Sequence, residues 1–282
     1  MKVVRLSNPT EPAQEPGTPI FELAGIHHGF RRSRESPLFT AIQDLSLSAK
    51  VGEFVSIVGP SGCGKSSLLS LLAGLTKPTS GQVRINGEEV VGIRQDIGFV
   101  FQRDATLPWK TARQNVELPL KYRGVSADEA ADRAMGWLKR MGLAKFADYY
   151  PHQLSGGMRK RVAIATTLVY EPALLLMDEP FSSLDVQTRD LIENDVLQLW
   201  QQSRSQTIVF VTHDLDEAIA MSDRIVVMTA SPGKVRGEYN VPLPRPRNLL
   251  EVKSDPGFSV IHGAIWRDLR EEVLRGAQTN PG

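Results

Sequence analysis

The chain has 282 residues, 41% hydrophobic and 23% charged, enough to bury the core of one large domain or two small ones. Its 33 basic and 32 acidic residues leave a net charge of +1, which excludes a general electrostatic drive toward nucleic acid. A single cysteine, Cys63, excludes an internal disulfide and fits a reducing compartment. The N-terminus lacks an apolar signal run and no stretch approaches the ~20 apolar residues needed to cross a bilayer, so any membrane span is expected in another chain.

Residues 1–19 mix Pro9, Pro12, Pro16, Gly17 and Pro19 with polar side chains and read as a disordered tail. Residues 20–26 and 42–49 read as strands. Between them Arg31, Arg32 and Arg34 suggest a solvated loop, since no aromatic interleaving supports a nucleic-acid patch. Residues 54–58 form a buried-strand run. It leads into Gly59-Pro60-Ser61-Gly62-Cys63-Gly64-Lys65-Ser66-Ser67, a complete Gly-x4-Gly-Lys-Ser loop, with Leu68, Leu69, Leu71 and Leu72 on the helix that follows. Glycines let such a loop aim several N–H groups at one anion, and the helix start adds its own N–H groups and dipole. Lys65 supplies a point charge for the β- and γ-phosphates, and Ser66 a hydroxyl for Mg²⁺. A dinucleotide fingerprint would need glycine at position 67, which is Ser67. Cys63 reads as a small filler whose backbone N–H does the work, or alternatively as a thiol activated by the helix start, whose alkylation would block ATP.

Beyond a turn at 77–81, residues 82–86 and 97–101 read as strands. From there to about residue 170 the pattern is helical. Ser126-Ala-Asp-Glu129 resembles a capping box before a helix carrying Met135, Leu138 and Met141, and Ser155 opens another with Met158, Val162, Ala165 and Val169. Apolar strands return at 173–177, 207–211 and 224–228, with a long helix at 186–203. The alternation implies an α/β fold whose parallel sheet is covered on both faces. Pro242, Pro244 and Pro246 precede a last amphipathic helix near 257–274, striped by Ile261, Ile265, Leu269 and Val273 and expected to pack on the domain.

Asp178 and Glu179 follow the apolar run at 174–177, at the carboxyl end of a parallel strand, where ligands collect in open α/β sheets. Asp178 suits Mg²⁺, directly or through water, and Glu179 can orient or deprotonate an attacking water.

Together with these, four further segments resemble the ATP-binding cassette (ABC) ATPases in order and spacing from about 20 to 240. Leu154-Ser155-Gly156-Gly157-Met158 resembles the family's signature, Gln102 its glutamine, Ser183-Leu184-Asp185 its aspartate loop, and His213 its switch histidine. Met158 departs from the usual signature glutamine, and Ser67 stands where threonine is common. The resemblance implies a P-loop NTPase parallel-sheet core, an antiparallel N-terminal β portion and a helical signature subdomain at about 103–170. These make a domain of residues 20–240, with a C-terminal tail and helix at 241–282. It further implies ATP and Mg²⁺, catalytic roles for Glu179, His213, Lys65 and Gln102, metal contacts from Ser66, Gln102 and Asp178, and nucleotide contacts from the phosphate loop and Asp185. The adenine would stack on Phe30, with Phe39 as runner-up. Ser155, Gly156 and Gly157 would cap the γ-phosphate held by a second copy, which implies a head-to-tail homodimer enclosing two ATP molecules.

A separate ATPase of this kind resembles the energy subunit of a bacterial importer, peripheral on the cytoplasmic face of the inner membrane. Its partners would be a permease dimer and, indirectly, a periplasmic or lipid-anchored binding protein. Leu107-Pro108-Trp109, Ser231-Pro232-Gly233 and the segment from Pro242 to Arg247 resemble the nitrate, sulfonate and taurine importer branch, which also holds thiamine-precursor systems. Residues 102–122 would border the permease groove, with Trp109 either in contact with the permease or packed inside the helical insertion. A non-transport cassette acting on DNA or ribosomes is the alternative. A small-molecule kinase leaves the signature and His213 unexplained.

Overall fold

Alternation in some strands and unbroken apolar runs in others sort the chain into two sheets. The computed structural model describes residues 19–31, 39–182, 184–203 and 206–279. Most of the expected tail, Arg32 and Arg34 of the expected loop, and Ser183 lie outside the described residues.

The first sheet is antiparallel. Strand β1 (Pro19–Phe30) pairs with β2 (Phe39–Lys50), from Pro19 opposite Lys50 to Phe30 opposite Phe39. Both strands outrun their expected limits, and Pro19, assigned to the tail, starts β1. Alternation along β2 buries Ile42, Leu45, Leu47 and Ala49. Strands β4 (Ser80–Ile85) and β5 (Glu88–Glu89) extend this sheet to the order β2-β1-β4-β5.

The second sheet holds β3 (Phe54–Val58), β6 (Ile97–Val100), β7 (Leu174–Asp178), β8 (Thr207–Val211), β9 (Arg224–Met228) and β10 (Val235–Asn240) in the order β10-β9-β3-β8-β7-β6. All its neighbours are parallel except β10 with β9. Every residue of β3 is buried, because alternate side chains serve different cores. Val55 and Ile57 pack with the first sheet and with helix α1 (Lys65–Leu72), whereas Phe54 and Val58 face the helical side. There Phe54 meets Trp200 and Phe210 edge-on, with ring centroids 5.3 and 6.0 Å away.

Helices α2 (Ala112–Tyr122), α3 (Ala127–Arg140) and α4 (Gly156–Leu168) form the expected helical block. The complete capping box belongs to α2, where Thr111 and Gln114 exchange bonds; at α3 the Ser126 hydroxyl accepts from the Glu129 N–H. Helices α5 (Val186–Ser203), α6 (Leu215–Met221), α7 (Leu249–Val252) and α8 (Pro256–Thr279) complete the fold. On α8, Phe258, Ile265 and Leu269 are buried, but Val273 is exposed; the last buried place is taken by Glu272. The proline-rich segment ends in Arg247, whose buried guanidinium donates to the carbonyls of Ile219, Ala220 and Ser222 at the end of α6 and to those of Val241 and Leu243.

Candidate functional site

Parallel order brings the carboxyl ends of β3, β6, β7 and β8 to one edge, and the expected chemistry gathers there. The loop 59–64 runs from β3 to α1. Gly64 caps the helix at φ +96°, a left-handed conformation that disfavours any side chain, and a β-carbon there would press on Ile42 at 2.8 Å. Lys65 is buried; its ammonium donates to the carbonyls of Gly59 at 2.8 Å and Pro60 at 3.0 Å. Ser61 and Gly62 are exposed at the loop's tip, Ser67 is half-buried, and Cys63 is 0% exposed. Burial pushes the Cys63 thiol up, against the pull of Lys65. The reactive-thiol expectation therefore fails, because the sulfur is sealed in the core and its thiolate is disfavoured.

The Ser66 hydroxyl donates to Asp178 Oδ1 at 3.1 Å, so α1 and β7 are tied at the proposed metal position. Burial raises the Asp178 carboxyl above its ordinary range; the Ser66 bond opposes this and the adjacent Glu179 charge adds to it. A hydroxyl and a crowded pair of carboxylates are hard oxygen donors that suit Mg²⁺ and gain from its charge. The amide oxygen of Gln102 is the third candidate ligand. Its Nε2 donates to Glu179 Oε2 at 3.3 Å.

Glu179 is the junction of the site. The same Oε2 lies 3.2 Å from His213 Nδ1, so residues from the ends of β6, β7 and β8 converge on one carboxylate oxygen. Its backbone sits at φ +42°, an uncommon conformation for a side-chain-bearing residue. Three hydrogen bonds fix that turn: the Glu179 N–H donates to the Val211 carbonyl at 2.9 Å, and Ser182 donates to the Glu179 carbonyl through both its N–H and its hydroxyl.

The remaining expected residues lie apart from this cluster. Ser155 caps α4 by accepting from the Met158 N–H at 3.3 Å, and α4 packs on α2, α3, α5 and β6. Gly156 is exposed, while Gly157 faces α5, where a β-carbon would stand 2.5 Å from Thr188 Cγ2. Asp185 is exposed and caps α5 through the Thr188 N–H, which lowers its carboxyl's pKa. Phe30 and Phe39 are cross-strand neighbours, 45% and 40% exposed, with centroids 5.2 Å apart.

Three groups escaped the sequence reading. Lys160, on α4, is fully buried and donates to the carbonyls of Phe101 and Gln102 at 3.2 and 2.8 Å, anchoring the glutamine segment to the signature helix. Burial lowers its pKa, opposed by Asp104 at 3.4 Å. Behind His213, Thr212 donates to Glu217 Oε2 at 2.6 Å, and Glu217 meets Glu193 of α5. The third is Glu272. Only Glu217 left a trace in the sequence: Asp214-x-x-Glu217 is a helix-start pattern, and Asp214 does cap α6.

The ABC transporter family model matches residues 42–182. The nitrate import ATP-binding protein NrtD of Synechocystis sp. is 41% identical over 263 residues, covering 92% of this chain and 96% of that protein. The taurine import ATP-binding protein TauB of Jannaschia sp. is 39% identical over 241 residues, covering 83% and 89%. The dimeric, post-hydrolysis structure of the ATP-binding cassette MJ0796, bound to ADP and phosphate, superposes with a TM-score of 0.70 at 35% identity, covering 79% of this chain and 100% of that one. Nothing in these likenesses supports action on nucleic acid or ribosomes. The expected P-loop NTPase fold holds, and with relatives this similar over most of its length the chain belongs to the ABC transporter family, as an ATP-hydrolysing enzyme that uses ATP with Mg²⁺.

Proposed function

We propose that this chain is the ATPase subunit of an importer for a small anion or a sulfur or nitrogen compound of the nitrate, sulfonate or taurine type. It would work as a head-to-tail homodimer on a separate permease dimer at the cytoplasmic face of the inner membrane, served by a periplasmic or lipid-anchored binding protein. The carrying observation is the Glu179 carboxylate, bridged to Gln102 and His213 beside the Ser66–Asp178 pair. The printed functions of the nitrate and taurine relatives support the import reading. Among the described residues no helix is long and apolar enough to cross a membrane, consistent with a permease in another chain.

In this reading the loop N–H groups from 61 to 67 and Lys65 bind the β- and γ-phosphates, and Ser66, Asp178 and Gln102 would hold Mg²⁺, which would supply positive charge against that of the phosphates. Glu179 accepts a proton from the water attacking the γ-phosphorus as the bond to ADP breaks, and His213 steadies the γ-phosphate. Ser155, Gly156 and Gly157 of one copy close on the nucleotide of the other, with Asp185 as a further nucleotide contact and Phe30, or failing it Phe39, under the adenine. Residues 20–240 form the ATPase domain, 103–170 its helical part, and 241–282 the C-terminal extension.

The test uses Glu179→Gln, which keeps the two neighbouring hydrogen bonds but removes the base. With ATP it should sediment as a stable dimer and hydrolyse more than ~100-fold slower, as expected for loss of a general base. Lys65→Ala should stay monomeric. A Glu179→Gln protein that hydrolyses at the wild-type rate overturns the role of Glu179. Uptake of nitrate, sulfonates and thiamine precursors by a deletion strain then identifies the cargo; no defect with any of them overturns the import reading.

A further inference from the structure

We infer that the C-terminal helix α8 holds the phosphate loop in its ATP-binding shape through Glu272, a positioning residue acting by way of the turn at 231–233. The inference rests on reading residues 59–67 as the phosphate site.

Glu272 lies near the end of the chain, yet it is 1% exposed while its neighbour Val273 faces solvent. A carboxylate in such a place is destabilising unless its oxygens are matched by donors. Here they are. Oε2 accepts the N–H of Ala230 at 2.9 Å, and Oε1 accepts from Arg236 at 3.3 Å and Arg275 at 3.0 Å. Bonds of this charge-assisted kind are short and directional, so Ala230 is fixed relative to α8.

Ala230 opens the tight turn that carries Ser231, Pro232 and Gly233. Thr229 closes it: its hydroxyl donates to the Pro232 carbonyl and accepts the Lys234 N–H, both at 3.0 Å. The far side of the turn lies against the phosphate loop. A β-carbon on Gly233 would overlap the Cys63 carbonyl, and it would stand 2.7 Å from Met228 Cε. Gly233 is also locked to β2, donating to the Ala41 carbonyl at 2.8 Å and accepting the Gln43 N–H at 3.0 Å. The turn is thus wedged between α8 and the backbone of residue 63, one residue before the helix cap at Gly64. Anion binding by a loop depends on several N–H groups pointing at one place, so a small shift of this backbone weakens all of them together. The Ser231-Pro232-Gly233 triplet therefore acts as a spacer between helix and loop.

The experiment compares full-length variants for KM and kcat in ATP hydrolysis and for melting temperature. Glu272→Ala should raise KM for ATP ~10-fold with kcat within ~2-fold, the pattern of lost binding rather than lost chemistry. Glu272→Gln, whose amide oxygen can still accept the Ala230 N–H, should recover most of that loss. Glu272→Asp withdraws the carboxylate by one methylene and should give an intermediate KM; it serves if Glu272→Ala does not accumulate folded. Tyr239→Phe removes another anchor of α8, the 2.6 Å bond to Asp268, and should lower the melting temperature without moving KM. An unchanged KM in Glu272→Ala and Glu272→Asp overturns the inference, as does a KM that rises in Tyr239→Phe in step with lost stability. Lys65→Ala should abolish ATP binding; if it binds ATP normally, the phosphate-site reading itself falls.

Discussion

Raising the pH from 6 to 8 should weaken the fold, and Glu193→Gln should remove most of that sensitivity. Glu193 on α5 is 2% exposed, with Oε1 lacking a partner among the described residues. Desolvation first, then the neighbouring Glu217 and Asp190, push its carboxyl up to about 9, with Arg189 pulling the other way. Arg189 also serves Glu217 at 3.8 Å and Asp214 at 4.0 Å, so one guanidinium faces several carboxyl groups. The stable arrangement keeps a proton on Glu193, hydrogen-bonded to Glu217. The folded state thus holds a proton that the unfolded chain releases near the ordinary glutamate value of 4.5. The associated stability is complete below 4.5 and declines as pH rises toward about 9. Across the two units from pH 6 to 8 the loss is about 3 kcal/mol, at about 1.4 kcal/mol per unit. Gln at this position offers a fixed N–H and carries no proton to lose. Urea unfolding followed by tryptophan fluorescence at pH 6, 7 and 8 measures the difference between wild type and variant. That difference should shift toward the variant by roughly this amount; a constant difference across the three pH values refutes the shared-proton account.

Gly157→Ala should cost about 1–3 kcal/mol and separate the start of α4 from α5, because its methyl would overlap Thr188 Cγ2, 2.5 Å away. Adding Thr188→Ser removes that methyl and should return the melting temperature and ATPase rate toward wild type. Trp109 is 69% exposed; Trp109→Ala should weaken copurification with the permease while leaving ATP affinity within ~2-fold, and equal loss of both would count against a docking role.

What could be read from the sequence was local. The phosphate loop is nine adjacent residues whose shape follows from glycine and a helix start, and Asp178-Glu179 is marked by the apolar strand before it. Gln102 and His213 were meaningful only in the company of the other segments, and the structure brings both to Glu179. Helix α2 went unread because Pro119 sits inside it and signals a break, although Thr111 and Gln114 box its start. Strand β10 lacks an apolar run because it lies at the sheet's edge. Lys160, Glu193 and Glu272 look like surface residues by type, and only tertiary partners distant in the chain make their burial tolerable. Helical spacing points to Val273 rather than Glu272 for the same reason: it reports hydrophobicity, not the Ala230 amide opposite. The preference for Phe30 over Phe39 gains no support from the structure, which pairs the two across neighbouring strands with ring centroids 5.2 Å apart.

Arg247 changes where this protein can be cut. Three of its five carbonyl contacts finish the helix that follows His213, and the other two hold Val241 and Leu243 in the segment that leads to it. A fragment trimmed at residue 240 would strip the carboxyl end of that helix of its buried donor and of the α7 and α8 cover, and expose its apolar face to water close to the switch histidine. The proposed 20–240 domain is therefore expected to need the chain through position 247 to stay folded, and a fragment with a shorter boundary to be insoluble or inactive.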